Sequence, residues 1–189
     1  MTATTSNDDA ELLQRIATGD KIAMPLFFGR HHLRVFRFIM RLARNEAMAE
    51  DLTNEVFLEI WRNAHKFEGR SAASTWMLSI AHHRTVDLLR KRSESELDED
   101  VAGRIPDQAD SPETKASKQD KSEQIRICME RLSAEHREII DLVYYHEKSI
   151  RDIAELIGIP EGTVKTRMFH ARKKLGEMLR NAGIDRGWP

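Results

Sequence analysis

The sequence holds one cysteine, Cys128, in 189 residues. That excludes an internal disulfide and a cysteine-built zinc cluster, and on an apolar helical face Cys128 reads as a small buried hydrophobe. No run approaches the ~18 consecutive apolar residues of a membrane span. The opening MTATTSNDDAELL has neither a basic stretch nor an apolar core of signal length, so a cytoplasmic protein is expected. Catalytic signatures are missing too: there is no Gly-rich phosphate loop, no nucleophile elbow and no HExxH. His83 and Asp87 stand four apart on a helical pattern, but two ligand types without a third are weak evidence for a metal, and His31-His32 is no better. No metal, no cofactor and no catalysis are expected.

Net charge is also nearly absent, at −1, and the whole-chain figure decides nothing. Its distribution does. Leu26 to Arg92 carries twelve Lys and Arg against seven Asp and Glu; Ser93 to Gln124 carries four against ten; Lys165 to Arg186 carries seven against two. Two basic bodies are separated by an acidic segment, a pattern suited to polyanionic partners. With 40% apolar and 32% charged residues the chain is globular, and its length allows one large domain or two small ones.

Apolar periodicity predicts helices throughout. Asp9 to Ala17 forms a short one, ended at Gly19-Asp20. Met24 to Arg44 forms a long one, with Phe28, Val35, Phe36, Ile39, Met40 and Ala43 as its apolar set, Pro25 in its first turn, and Arg30, Arg34, Arg37, Arg41 and Arg44 as a basic face. Met48 to Ala64 places Ala49, Leu52, Val56 and Ile60 on one seam. Off that seam lie Asp51, Asn54, Glu55, Leu58 and Trp61, with Phe57 near its edge. Trp and Leu among acids suit a docking surface; packing of Trp61 and Phe57 on a neighbouring helix fits the pattern equally well. A Gly-containing loop, Lys66 to Ser71, leads to a helix ending at Arg92, with Ser71 or Ser74 as N-cap and a basic far end of Arg84, Arg90, Lys91 and Arg92. A basic helix beside a loop of aromatics and small polar residues suits unpaired nucleic acid.

Residues 93–121, rich in acids and Ser and holding Pro106 and Pro112, read as a mostly irregular linker. Its roughly 30 residues could reach about 100 Å extended or span about 30 Å as a relaxed coil. Helices return from Ser122. Ile125, Cys128, Met129 and Leu132 make one face; Ser133 caps a helix with Ile139, Ile140, Leu142 and Val143; Ser149 and Asp152 start another as a capping box. Gly158-Ile159-Pro160 stops it, and a further helix follows: a helix-turn-helix. In that last helix Val164, Met168, Ala171 and Leu175 form a narrow inward stripe. The opposite face presents Lys165, Thr166, Phe169, His170 and Lys173, flanked by Arg167, Lys174 and Arg172, which suits base edges and phosphates. The expected fold is all-α: two small helical domains, 10–92 and 122–181, joined by a flexible acidic linker.

Two strings are specific enough to carry a family resemblance. AEDLTNEVFLEIW, followed by the F, G, S and A of the loop and then TWMLSIAHHRTVDLLR, resembles the second conserved region of bacterial sigma factors of the extracytoplasmic-function class. Leu132 to Leu175 resembles their fourth region along its whole length. The resemblance implies a transcription initiation subunit that binds core RNA polymerase and promoter DNA and is held by an anti-sigma factor. It implies polymerase docking at Asp51, Asn54, Glu55, Leu58 and Trp61. It implies reading and opening of the −10 element by Phe67, Arg70, Ser71, Ser74, Trp76, His83, Arg84, Asp87 and Lys91, with His83 where Asn is frequent. It implies −35 reading by Lys165, Thr166, Arg167, Phe169, His170, Arg172 and Lys173, with His170 where Arg is common. An ordinary helix-turn-helix regulator would account for the C-terminal half alone.

Overall fold

The computed structural model describes residues 3–98 and 118–184, with side chains over 8–94 and 123–184. Every regular element among them is helical. Helix α1, Ala3–Ala17, starts well before the expected Asp9 and ends at Gly19, whose φ of +85° suits glycine. Its Asp9 is buried and gripped from α2, Ala23–Ala43, by Arg30 Nη1 at 2.6 Å and His31 Nε2 at 3.0 Å. Burial pushes the His31 imidazole below its usual pKa despite the neighbouring Asp9 carboxylate.

The phase of α2 differs from expectation. Phe27, Val35, Phe38 and Ile39 are fully buried, while Phe28 lies at the surface edge and Phe36 is half-buried. Helix α2 ends at Arg44, which takes a left-handed turn (φ 54°). Helix α3, Glu46–Asn63, is capped by Asn45, whose side chain accepts from the Met48 N–H at 2.8 Å. A short 3-10 turn, Ala64–Lys66, leads to α4, Ala73–Asp98. Neither Ser71 nor Ser74 is its N-cap: the Ala72 carbonyl takes the first intrahelical bond, from the Trp76 N–H at 3.1 Å. Helix α4 runs past the expected stop at Arg92, and α5, Lys118–Glu130, begins before the expected end of the linker. The irregular linker expected over 93–121 is thus helical at both ends, and residues 99–117 lie outside the described residues.

Helix α6, Ala134–Tyr144, is capped by Ser133. Helix α7, Ile150–Ile157, has the reciprocal Ser149–Asp152 capping box and a left-handed Gly158 at its end. Helix α8, Glu161–Asn181, follows directly, with Pro160 in the N-cap position. Its buried stripe is Val164, Ala171, Leu175 and Leu179, with Met168 half-buried.

The two helical regions also pack on one another. One apolar cluster runs from Leu13, Phe27, Phe38, Ile60 and Met77 into Ile139, Leu142, Ile153, Leu156 and Val164. A second, smaller cluster of Cys128, Met129, Leu132, Ile140, Ala171, Leu175 and Leu179 joins α5, α6 and α8. Helix α6 therefore feeds both clusters, and α8 is held by both. No described helix is long and apolar enough to cross a membrane.

Candidate nucleic-acid and polymerase interfaces

Helix α3 divides cleanly. Ala49, Leu52, Val56 and Ile60 are at most 2% exposed and turn inward. Asp51, Asn54 and Glu55 face solvent, with Leu58 41% and Trp61 58% exposed. The two aromatics that periodicity could not separate behave differently: Phe57 is buried against Phe27 and Phe28, and Trp61 is bare. Among the described residues no ion pair engages Asp51 or Glu55, so an open acid-and-amide edge surrounds an exposed indole. That combination resembles the centre of a protein interface before it is covered.

The residues expected to meet the −10 element fall into two groups along α4. Around its N-terminus, Phe67 and Trp76 pack with ring centroids 5.5 Å apart; Trp76 is half-buried on the core, and exposed Arg70 pairs with Glu68. Ser71 is half-buried nearby, and Ser74 accepts a hydrogen bond from Lys148 Nζ at 2.7 Å. About 13 Å further along, at ~1.5 Å per residue, comes the second group. There a cleft of about 310 Å³ is lined by Glu59, Ser79, Ile80, His83, Arg84 and Asp87. Arg84 Nε lies 2.5 Å from Glu59 Oε2, which makes a charged wall, and His83 Nδ1 lies 2.7 Å from the Ser79 carbonyl oxygen, which fixes the ring. The Ser79 oxygen can only accept, so Nδ1 carries the hydrogen and Nε2 points out as an acceptor in the neutral ring. Lys91 is exposed one turn beyond Asp87. Glu59, Ser79 and Ile80 were not expected here; Glu59 belongs to another helix, and only tertiary packing brings it to the cleft.

Helix α8 shows its basic face as expected. Lys165, Thr166, Phe169, His170, Arg172 and Lys173 are all exposed, Phe169 to 66%. Thr166 Oγ1 donates to the Gly162 carbonyl at 3.0 Å, which leaves its lone pairs outward. Arg167 is turned aside onto Glu135 at 3.0 Å. Between α7 and α8 a groove of about 630 Å³ is lined by Ile150, Lys165, Met168, Phe169, Arg172, Lys173, Gly176 and Arg180. Arg180 extends the cationic rim beyond the expected set. Among the described residues no group of three or more His, Cys, Asp or Glu is arranged to hold a metal.

A polar seam joins the halves. Arg41 Nη1 lies 2.5 Å from Asp141 Oδ1, and its guanidinium covers the Tyr145 ring at 4.2 Å. Arg34 donates from Nε to His146 Nδ1 and from Nη2 to the His146 carbonyl, both at 3.0 Å. Since Nδ1 must accept, Nε2 carries the hydrogen and faces Asp141 Oδ2 at 3.1 Å. His82 Nδ1 lies 2.5 Å from Glu138 Oε1, and Arg44 donates to the Glu130 carbonyl. Lys148 Nζ reaches both Ser74 and Thr75, the latter at 2.8 Å. Burial pushes the Lys148 amine down to about 8, and the Arg34 charge adds to the push. The basic face expected on α2 is therefore largely consumed inside the molecule.

Comparisons with known proteins agree with this layout. The Sigma-70 region 2 family model matches residues 27–95 and the Sigma-70 region 4 model matches residues 122–175. The chain is 29% identical over 177 residues to the ECF RNA polymerase sigma factor SigK of Mycobacterium tuberculosis, covering 92% of this chain and 95% of that one. SigK of Mycobacterium ulcerans is 27% identical over the same shares. Among solved structures, the sigma factor RpoE of Bartonella quintana, crystallised with the anti-sigma factor NepR, superposes with a TM-score of 0.65 at 26% identity, covering 84% of this chain and 96% of that one. CnrH, in complex with the cytosolic domain of CnrY, shares the fold at a TM-score of 0.66 and 20% identity, over 92% and 97% of the two chains. With both conserved regions matched in order and the likeness running nearly end to end, the chain belongs to the extracytoplasmic-function class of the sigma-70 family of RNA polymerase sigma factors.

Proposed function

We propose that the two halves act as domains of a dissociable initiation subunit. The first, residues 10–92, docks on core RNA polymerase and opens the −10 element. The second, 122–181, reads the −35 element. The polymerase performs the chemistry in the cytoplasm; this chain supplies promoter choice and strand opening. The observation that carries the reading is the coexistence, on one chain, of a bare acid-amide-indole face on α3 and an outward cationic face on the second helix of a helix-turn-helix.

Residue roles follow from the exposed chemistry. Asp51, Asn54, Glu55, Leu58 and Trp61 meet the polymerase. The cleft of His83, Arg84 and Asp87 suits a base that has left the stack: it offers a ring nitrogen, a guanidinium and a carboxylate to a base edge, and such contacts offset a flipping cost of a few kcal/mol. Phe67 and Trp76 stiffen the loop, while Arg70, Ser71, Ser74 and Lys91 border the strand path. On α8, Lys165, Thr166, His170 and Lys173 face the major groove, Phe169 covers apolar sugar or a thymine methyl, Arg172 meets a phosphate, and Arg167 reaches one only by leaving Glu135. An anti-sigma factor is the expected inhibitor, as the likeness to RpoE solved with NepR suggests.

Run-off transcription with purified core polymerase tests the reading. Added protein should direct initiation at discrete promoters and, without polymerase, bind the same DNA poorly. Tight sequence-specific footprinting by the chain alone, with no initiation when core is added, would point to an ordinary regulator.

A further inference from the structure

Six of the ten large apolar side chains left exposed among the described residues, Ile22, Leu26, Phe28, Leu33, Leu58 and Trp61, lie on α2, its N-cap and α3. On α2 they are not scattered. Ile22, Leu26, Gly29, Leu33, Phe36 and Met40 recur at steps of four, three, four, three and four, the heptad spacing of a coiled-coil contact. At ~100° per residue the first four fall within about 60° of one another. Ile22, Leu26 and Leu33 are 66%, 52% and 47% exposed, and Phe36 and Met40 close the stripe half-buried. The helix does not need this stripe to fold, because Phe27, Val35, Phe38 and Ile39 already anchor it from the other side. Gly29 weakens a helix interior, yet no atom of the chain uses the space beside it: a Cβ there would meet nothing within 4 Å. It is the point where a second helix can come closest.

The charges beside the stripe say what covers it. Helix α2 carries no acid, and exposed Arg30 and Arg37 line one edge. Along the opposite edge runs α3, with Glu46, Glu50, Asp51 and Glu55 exposed. The Phe28 and Phe57 rings, 4.8 Å apart, fix the antiparallel register of the two helices. Arg30 therefore stands level with Glu55, and Arg37 level with a point between Glu46 and Glu50. Two copies related by a two-fold axis parallel to α2 would set each cationic edge against the other's acidic edge at matching heights. In the same arrangement Ile22, Leu26, Gly29 and Leu33 meet their own counterparts, as an isologous contact requires. Antiparallel α2 helices would instead put cation on cation and acid on acid. We infer that the chain self-associates as a two-fold dimer through the α2 stripe, helices parallel, with the acids of α3 facing the arginines of the second copy's α2. Four exposed layers make a transient dimer and not an obligate one. The dimer covers part of the α3 face, so it competes with polymerase docking. That consequence rests on the initiation-subunit reading; the dimer does not.

Sedimentation equilibrium of the full chain, from about 1 μM to about 200 μM, tests the proposal. The mean mass should rise from one chain toward two, and less steeply in about 0.5 M salt than in about 0.1 M. Leu26→Glu combined with Leu33→Glu should weaken association about 30-fold or more. Both side chains are exposed and neither belongs to a proposed polymerase or DNA contact, so helicity by circular dichroism should stay unchanged. Leu26→Cys reports the register. Parallel helices bring position 26 to its own counterpart, so mild oxidation should link two copies there, while the native Cys128 is buried. A wild type that stays monomeric throughout, or a double variant that associates as the wild type does, overturns the dimer. A dimer in which Leu26→Cys fails to link overturns the parallel arrangement. A monomeric wild type whose affinity for core polymerase falls in the double variant gives the stripe to polymerase and likewise overturns the dimer. A wild type that dimerises and never docks on core rejects the initiation-subunit reading and leaves the dimer standing.

Discussion

The Nζ of Lys148 sits 2.8 Å from Thr75 Oγ1, although the two residues are 73 positions apart. Thr75 is 2% exposed, so the amine has left water to reach it. Arg34 adds a like charge nearby and Asp152 opposes it, and burial is the larger influence, bringing the amine down to about 8.

Stability should therefore depend on pH. A lysine freed by unfolding titrates near ~10.4. Between about 8 and ~10.4 the unfolded chain binds a proton that the folded chain lacks, so raising the pH through that window stabilises the fold. Below about 8 both states hold the proton and the folded state bears the full penalty. The urea midpoint should rise between about pH 7.5 and about pH 9.5, and Lys148→Met should abolish that trend. A midpoint insensitive across the window would contradict the assignment.

Asp51→Ala with Trp61→Ala should leave helicity and melting unchanged, since both side chains are exposed. Loss of a central Trp typically costs about 2 kcal/mol or more, roughly 30-fold in affinity for core polymerase. Fluorescence anisotropy of labelled protein against core measures this directly, and undiminished affinity would reject the α3 face.

Lys165→Ala and His170→Ala should each weaken −35-dependent initiation by about 1–3 kcal/mol if they reach base edges. A phosphate-only role for Lys165 would instead lower the salt slope of promoter binding by about 1 and leave sequence preference intact. Competition between promoters altered only in that element separates the two. Full activity of both variants on an intact promoter would remove α8 from the proposed contact.

Ser149→Ala removes one arm of the capping box on α7, the Oγ that accepts from the Asp152 N–H, and leaves the Ser149 N–H on Asp152 Oδ2; α7 is an eight-residue helix with little else to start it. A loss of about 1 kcal/mol is expected, visible in urea unfolding as a lower midpoint at unchanged slope. No change would mean that packing of Ile153 and Leu156 alone sets the helix.

Local punctuation was readable in the sequence, and distant partnership was not. Ser133, Ser149, Asp152, Gly158 and Pro160 act on backbone groups within a few residues, so the helix-turn-helix and its inward stripe could be placed from spacing. Helix α2 shows the opposite. Its aromatics at 27, 28, 36 and 38 fit two phases, and the choice of Phe27 and Phe38 is made by α1, α3 and the second half. Its arginines resembled a solvated basic face because Asp141, His146 and Glu130, which take three of them, lie far along the chain. Ser74 reads as a cap or a DNA contact for the same reason, since nothing near it in sequence announces Lys148.

Helix α8 is gripped near its start by Val164 in the large apolar cluster and further along by Ala171, Leu175 and Leu179 in the small one, and α6 supplies side chains to both. The pitch at which the cationic side meets a duplex is thereby set from behind, by a helix that need never approach DNA. Trimming Ile140, 1% exposed on α6, should tilt that presentation and change which promoters are chosen while every contacting side chain stays intact.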